Sequence, residues 1–303
     1  MTTTAQAEGR QLAAGHAMGL FVALTFGSAY PAGKHIVSTV DPVLFACARY
    51  LLAGTVMLTL LALRGQSIAV SRADLWRLAG LGFLGYALFQ GTWAVALTMT
   101  TPAKAVVLVA TTPIFGAMFG LLAGERLSAA GWIGVLLAFL GVFVIVNDSY
   151  SSFNLAGGSV LGDALFVFVA AVWAVYGALS RPCVLRLGVW RTSGWCALLG
   201  SGLLLPLALP GAIAQDWQRV DATTVLAFAH TSLVVGCFGL AAWGGGLARL
   251  GLTRIATYLY LSPVVGITLS GLLLGQWLSQ VQMSGAAMVL LGIAMTQMLG
   301  RRH

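Results

Sequence analysis

Apolar residues in this chain neither alternate nor form narrow amphipathic stripes; they run on. Ten nearly continuous apolar segments, at about 14–33, 43–63, 75–98, 103–122, 129–147, 160–180, 192–210, 223–246, 255–273 and 281–299, are separated by short breaks. Each segment is close to the ~20 residues that carry a helix across a ~30 Å hydrocarbon core at about 1.5 Å per residue. The breaks carry helix-ending residues: Asp41-Pro42, 64–67, Thr100-Thr101-Pro102, 124–128, 147–152, Ser180-Arg181-Pro182, Leu209-Pro210-Gly211 and 275–280. Lipid supplies no partner for open backbone groups, and strand-like alternation is absent. The pattern therefore predicts an all-α integral membrane protein with ten transmembrane helices.

Composition removes the soluble alternative. Of 303 residues, 59% are hydrophobic and only 8% charged, against roughly 25% charged in a soluble domain. The net charge of +8 comes from cations set singly between apolar runs, not clustered on one face, so no nucleic-acid partner is expected. Cys47, Cys183, Cys196 and Cys237 are scattered without a Cys-x-x-Cys pair and read as small packing residues. No metal and no cofactor is expected. The opening MTTTAQAEGRQLAAG is polar, and no Ala-x-Ala-like site closes the first run; an uncleaved first helix is expected in place of a signal peptide.

Charge placement orients the chain. With the N-terminus cytoplasmic, that side holds Arg10, Arg64, Arg72, Arg77, Arg126, Arg181, Arg186, Arg191, Arg249, Arg254, Arg301 and Arg302, twelve in all. The other side holds Lys34, Lys104 and Arg219, and Arg49 falls inside the second span. The excess of positive charge puts both termini in the cytoplasm, with a bacterial inner (plasma) membrane as the expected location.

The two halves align at an offset of about 150 residues. TTPIFGAMFGLLAGERLS (111–128) reappears as LSPVVGITLSGLLLGQWLS (261–279), and ALTFGSAYPAGK (23–34) sits over AAVWAVYGALSR (170–181). Trp93 falls over Trp243, Pro113 over Pro263, Gly124 over Gly275, Gly134 over Gly285 and Gly141 over Gly292. Each unit has five spans, an odd number, so the second enters the membrane inverted. The charges agree: the turn reading Gly124-Glu125-Arg126 in the first half reads Gly275-Gln276-Trp277 in the second. The expected organisation is a tail at 1–13, a first repeat at 14–147, an external linker at 148–159, a second repeat at 160–299 and a tail at 300–303. Inverted five-helix repeats place a binding site near mid-membrane between the halves and expose it to each side in turn.

Taken together, Pro113 with GERLSAAGWIGVLLAFLGVFVIV (124–146), GDALFVFVAAVWAVYGALSR (162–181) and SPVVGITLSGLLLGQWLSQVQMSGAAMVLLGIAM (262–295) resemble the drug/metabolite transporter superfamily in its ten-helix, EamA-type members. The resemblance covers almost the whole chain. It implies a 5+5 inverted bundle that exports or exchanges small metabolites, aromatic and other amino acids being known cargo of similar exporters. A second Gly-Glu is frequent after the ninth span in the family. Gln276 stands there in this chain, so symmetric acidic gates do not carry over.

Candidate contact residues follow from helical spacing. Phe83, Tyr86, Gln90 and Trp93 recur at intervals of 3, 4 and 3 and are expected on one face of the third span. There, rings would wall an apolar side chain and Gln90 would orient a polar head. Trp93 also suits an interfacial aromatic belt. Trp173 and Tyr176 lie one turn apart on span 6, at positions that the resemblance implies are often aromatic. Trp243 matches Trp93, and of Tyr258 and Tyr260 the resemblance favours Tyr260. His230 either binds a proton or carboxylate or bonds a neighbouring carbonyl. Arg49 either snorkels outward past Asp41 or binds an anionic group of the cargo. Pro113 and Pro263 each withdraw a backbone donor; Thr112 and Ser262 are placed to offset that, and each site reads as a packed kink or as a hinge or gate.

The expected function is transport of small amphipathic metabolites by alternating access, export of amino acids or related compounds foremost. The expected partners are a small-molecule substrate and the lipid bilayer. Exchange of nucleotide sugars or phosphate esters is the alternative; it asks for several deep cations, and only Arg49 qualifies. A membrane enzyme would need clustered His, Asp or Glu, whereas His16, His35, His230 and His303 are scattered. A channel would need a polar pore face or a selectivity loop. No acidic residue lies deep in a span, which weighs against proton-coupled antiport of cationic drugs and leaves facilitated export open.

Overall fold

A computed structural model describes residues 2–122, 128–149 and 159–298. Among them eight helices are long and apolar enough to cross a membrane: α1 (Gly9–Val37), α2 (Pro42–Leu63), α3 (Arg72–Met99), α4 (Pro102–Phe119), α5 (Ala129–Asn147), α6 (Val160–Leu187), α7 (Val189–Ala214) and α8 (Ala222–Gly246). Two shorter apolar helices, α9 (Tyr258–Leu274) and α10 (Gln280–Thr296), complete the ten. No strand occurs among the described residues. The turn residues Gly124, Glu125 and Arg126 lie outside the described residues, as do 150–158 of the linker and the terminal Arg301 and Arg302.

Helix starts follow the polar breaks. Asp41 accepts from the backbone N–H groups of Val43 and Leu44, and Pro42 occupies the first helical position of α2. Thr101 and Pro102 do the same for α4, and Ser128 caps α5. Two expected breaks are not breaks. α6 passes through Ser180-Arg181-Pro182 to Leu187, ending at Gly188 with φ 82°. α7 passes through Pro210 to Ala214. An internal proline forfeits one backbone bond, and in α6 the extra turns are anchored because Arg186 forms a two-nitrogen ion pair with Asp74 at the start of α3.

The contacts obey a pseudo-two-fold axis. α5 and α10 run antiparallel, with Gly134 against Gly292 and Gly141 against Gly285. A shift of about 150 residues exchanges these two contacts. α2 and α7 repeat the relation: Gly54 meets Gly194, and the equivalent pair meets where the Cys47 thiol donates to the Ser201 carbonyl at 3.3 Å. At the bundle ends, Asp74···Arg186 corresponds to Asp221 beside His35, at 4.0 Å. The Thr224 hydroxyl and backbone N–H hold the Asp221 carboxyl below the usual carboxylate range. Two inverted five-helix repeats thus account for the fold, as the repeated sequence predicts.

The outer surface is what a lipid-facing bundle requires: Leu63, Leu207 and Ile213 are among many exposed aliphatic side chains. Among the described residues the exposed tryptophans are Trp76, Trp132, Trp217 and Trp277, all at or near helix ends, where an amphipathic ring can sit at the headgroups. Trp93 is not one of them. It is only 4% exposed, which corrects the aromatic-belt expectation.

Candidate functional site

The centre of the bundle is organised by two departures from α-helical geometry. α3 contains a π-helical stretch at Phe83–Leu88, and α8 contains one at His230–Gly239. They occupy equivalent positions in the two repeats. A π turn shifts the side-chain register and leaves carbonyls without their usual donors, and such stretches recur at functional sites. The register shift explains one disagreement with sequence spacing. Phe83 does not share a face with Tyr86, Gln90 and Trp93; it is 49% exposed, whereas those three are buried.

Around the α3 stretch the rings form a continuous chain. Tyr50 packs edge-on against Tyr86 with centroids 5.0 Å apart, and Tyr86 likewise against Tyr176 at 6.0 Å. Tyr176 stacks on Trp173 at 4.8 Å, and Trp173 meets Phe89 at 4.7 Å. Gly85 is required here, because a Cβ would stand 2.6 Å from the Tyr176 ring. A second group joins Trp93 to Tyr30 at 5.5 Å and to Phe166 at 6.4 Å. Gln90, the one amide of this face, is buried on α3 between Tyr86 and Trp93.

Arg49 joins the two ring groups. Snorkelling past Asp41 does not occur: Arg49 is 3% exposed, and Asp41 is engaged in capping α2. The guanidinium carbon lies 4.7 Å from the Tyr50 centroid, 5.6 Å from Trp93 and 5.8 Å from Phe45. Its Nε donates to the Thr231 carbonyl at 3.0 Å, inside the α8 π stretch. Cation–π contacts of this kind contribute about 2 kcal/mol when desolvated. Next to Thr231, His230 shares a hydrogen bond with the Ser28 hydroxyl at 2.9 Å, not with a neighbouring carbonyl.

The structure thus gathers Arg49, Tyr86, Gln90, Trp93, Trp173 and Tyr176, with His230 adjoining. Tyr258 and Tyr260 diverge: the Tyr258 hydroxyl bonds His16 at 2.6 Å, and half-buried Tyr260 packs against the core that contains Trp93. Trp243, near the end of α8, makes no ring contact with the cluster among the described residues. Spacing within single spans missed Tyr30, Phe45, Tyr50 and Thr231. The signal for Tyr50 was its place beside an intramembrane charge.

The prolines sit differently from a mid-helix kink. α4 breaks at Ala110-Thr111 and restarts at Thr112, so Pro113 lies in a first turn. α9 opens with a 3-10 turn at Tyr258–Tyr260 and becomes α-helical at Leu261, so Pro263 also lies in a first turn. First-turn N–H groups have no intrahelical partner, so the missing donor costs little there. Thr112 donates to the Val109 carbonyl at 2.8 Å, as expected. Ser262 does not play that part; its buried hydroxyl has no partner among the described residues. Thr112→Val is expected to lower stability by about 1 kcal/mol, the usual net value of one hydrogen bond, and Thr112→Ser to leave it unchanged. Thermal midpoints in detergent measure both.

One end of the bundle carries a cleft of about 550 Å³ lined by Lys34, Thr100, Lys104, Asp148, Ser159, Gln276 and Gln282 among others. Its lysines are engaged. Lys34 Nζ donates to the carbonyls of Leu97 (2.7 Å), Thr98 (3.4 Å) and Thr100 (2.9 Å). Lys104 Nζ donates to Asp163 at 2.9 Å and Ser159 at 3.3 Å. Lys34 ties α1 to the end of α3 and Lys104 ties the start of α4 to the start of α6, so these cations are not an open anion site.

A family model described as the EamA-like transporter family matches residues 13–147 and 160–298. The chain belongs to the EamA-like transporter family. Among relatives, an "Uncharacterized transporter" of Archaeoglobus fulgidus is 28% identical over 74% of this chain and 76% of its own. The "Uncharacterized inner membrane transporter YedA" of Escherichia coli is 26% identical over 90% and 87%. A "Probable amino-acid metabolite efflux pump" of Salmonella typhimurium is 32% identical over 56% of this chain and 58% of its own. A solved crystal structure superposes with a TM-score of 0.65 over 95% of this chain and 97% of the other, at 23% identity, which supports the fold. This EamA-like protein is therefore a multi-pass membrane transporter. Its α4 is a discontinuous helix, broken between Val109 and Thr112, a feature many transporters share.

Proposed function

We propose that this transporter exports amino acids or closely related amphipathic metabolites by alternating access, from a bacterial inner membrane with both termini in the cytoplasm. One observation carries the reading. A ring-walled cluster with a single amide, Gln90, lies against the π stretch of one repeat and touches the equivalent stretch of the other through Arg49 and Thr231. A cargo there contacts both halves, so rocking one against the other can transfer it. Apolar walls with few polar groups suit an amphipathic metabolite. The name of the Salmonella relative agrees with such cargo, and the distribution of Lys and Arg supports the orientation. The engaged Lys34 and Lys104 weigh against nucleotide-sugar exchange. Asp163, the most deeply buried carboxylate among the described residues, is committed to Lys104 and Thr100, so export down a gradient is the simplest mode.

Counterflow in proteoliposomes loaded with a mixed metabolite pool and read by mass spectrometry tests this. An amino acid or related compound is expected to exchange, and Tyr86→Ala or Gln90→Ala is expected to reduce exchange at least tenfold in protein that remains monodisperse. No exchange of any species by folded wild-type protein would remove the transport assignment for this pool. Exchange untouched by either variant would move the site elsewhere.

A further inference from the structure

Arg49 is a permanently charged group inside a membrane bundle, and among the described residues no carboxylate stands within ion-pair distance of it. Of its five N–H donors only the one on Nε is used in a hydrogen bond among the described residues, to the Thr231 carbonyl. The three rings about it, Tyr50, Trp93 and Phe45, offset part of the burial cost but accept no in-plane hydrogen bond. A buried, unpaired cation is among the most expensive arrangements a fold can hold. Asp163, the most buried carboxylate among the described residues, shows how such a cost is normally met: it has Lys104 and Thr100.

Two buried hydroxyls are also unspent. The hydroxyl of Ser232, next to Thr231 in the same π stretch, is buried without a partner among the described residues, as is that of Ser262. Ser262 packs through its backbone against Gly27, the neighbour of the Ser28 that bonds His230. An orphaned guanidinium fork and orphaned hydroxyls call for a ligand that brings acceptors. The planar fork matches a carboxylate, which takes two parallel N–H···O bonds.

We infer that Arg49 is the anion anchor of the transport site and that the cargo carries a carboxylate paired with its terminal nitrogens, with the apolar part of the cargo against the Tyr86–Trp173 rings. This rests on the transport reading above and adds the group that selects the cargo. The α8 π stretch has a defined part in it. Its Thr231 carbonyl accepts from Nε, which leaves both terminal nitrogens to the ligand. Because Arg49 is on the first repeat and Thr231 on the second, the anchor also straddles the two bodies that must move.

The test compares acids with their amides. Wild-type protein in liposomes is loaded with the twenty amino acids, their C-terminal carboxamides and a set of sugar phosphates and nucleotide sugars, and exchange is read by mass spectrometry. Carboxylates are expected to exchange at least tenfold faster than the matching amides. Arg49→Gln is expected to abolish that preference. Arg49→Lys, which keeps the charge but not the fork, is expected to retain the preference with a half-saturation concentration raised at least fivefold. A merely structural arginine would lose exchange of acids and amides alike, so that result overturns the anchor. Equal exchange of acids and amides by wild-type protein overturns it while leaving the transport reading intact, and this arm decides the matter if Arg49→Gln fails to fold. Exchange of phosphate species alone overturns the carboxylate assignment. No exchange at all defeats the transport reading and the anchor with it.

Discussion

Gly292→Leu is expected to leave little or no monodisperse protein. α5 and α10 approach through backbone at this point. A Cβ on Gly292 would stand 2.6 Å from the Ala138 amide nitrogen and 2.8 Å from the Ala138 Cβ, with the Gly134 carbonyl also against it. A flexible side chain could turn away; a helix backbone can only retreat. Overpacking in a core costs about 1–3 kcal/mol when side chains can adjust, and more when they cannot. In lipid the compensation is also weaker, because close packing is itself a main source of helix association. Gly202→Leu in α7 is the control, since nothing lies within 4 Å of its Cβ position. Size-exclusion profiles and thermal midpoints should separate the two variants clearly. A Gly292→Leu protein as stable as Gly202→Leu would mean that the two helices are not packed backbone to backbone.

The second large effect is expected at Asp163. Its side chain is fully buried and that of Lys104 is 8% exposed, with 2.9 Å between them. The Thr100 hydroxyl also donates to Asp163. Removing one partner of a buried pair leaves the other charge uncompensated, at a cost of about 3–5 kcal/mol. Asp163→Leu should therefore be severe. Asp163→Asn keeps a hydrogen-bonding group for Thr100 and should be milder. Lys104→Met combined with Asp163→Leu removes both charges and should recover much of the loss, because apolar replacements of buried pairs are often well tolerated. Thermal midpoints of the single and double variants form the cycle. A double variant no better than Asp163→Leu would show that the pair is not what binds the start of α4 to the start of α6.

Both results bear on what could be read in advance. Gly134, Gly141, Gly285 and Gly292 were visible as an aligned pattern, and the fold gave them partners by crossing the repeats: the first glycine of one half meets the second of the other. The charge pattern put Lys34 and Lys104 on the same side of the bundle, and both line the one cleft described at its end. Their engagement with carbonyls and with Asp163 could not be seen, because those partners come from segments about 60 residues away. Tyr86, Gln90 and Trp93 were found by spacing, since an α-helical period survives across most of α3. Phe83 was misplaced because a π stretch breaks that period, and a π stretch leaves no compositional mark.

The sequence alone determined the number and order of spans. Hydrophobic length against bilayer thickness is a local quantity, and every backbone group must be satisfied within its own segment. It also determined the inversion, which needs only a duplicated pattern and an odd count. What the tertiary structure decided is which way each helix faces. In a soluble protein the polar side of a helix marks water and the apolar side marks the core. In lipid both sides are apolar, so the pattern along α2 carries no sign of whether Arg49 turns to the membrane surface or to the centre. That was settled by what surrounds it in the bundle: Phe45 and Tyr50 of its own helix, Trp93 of α3 and the Thr231 carbonyl of α8.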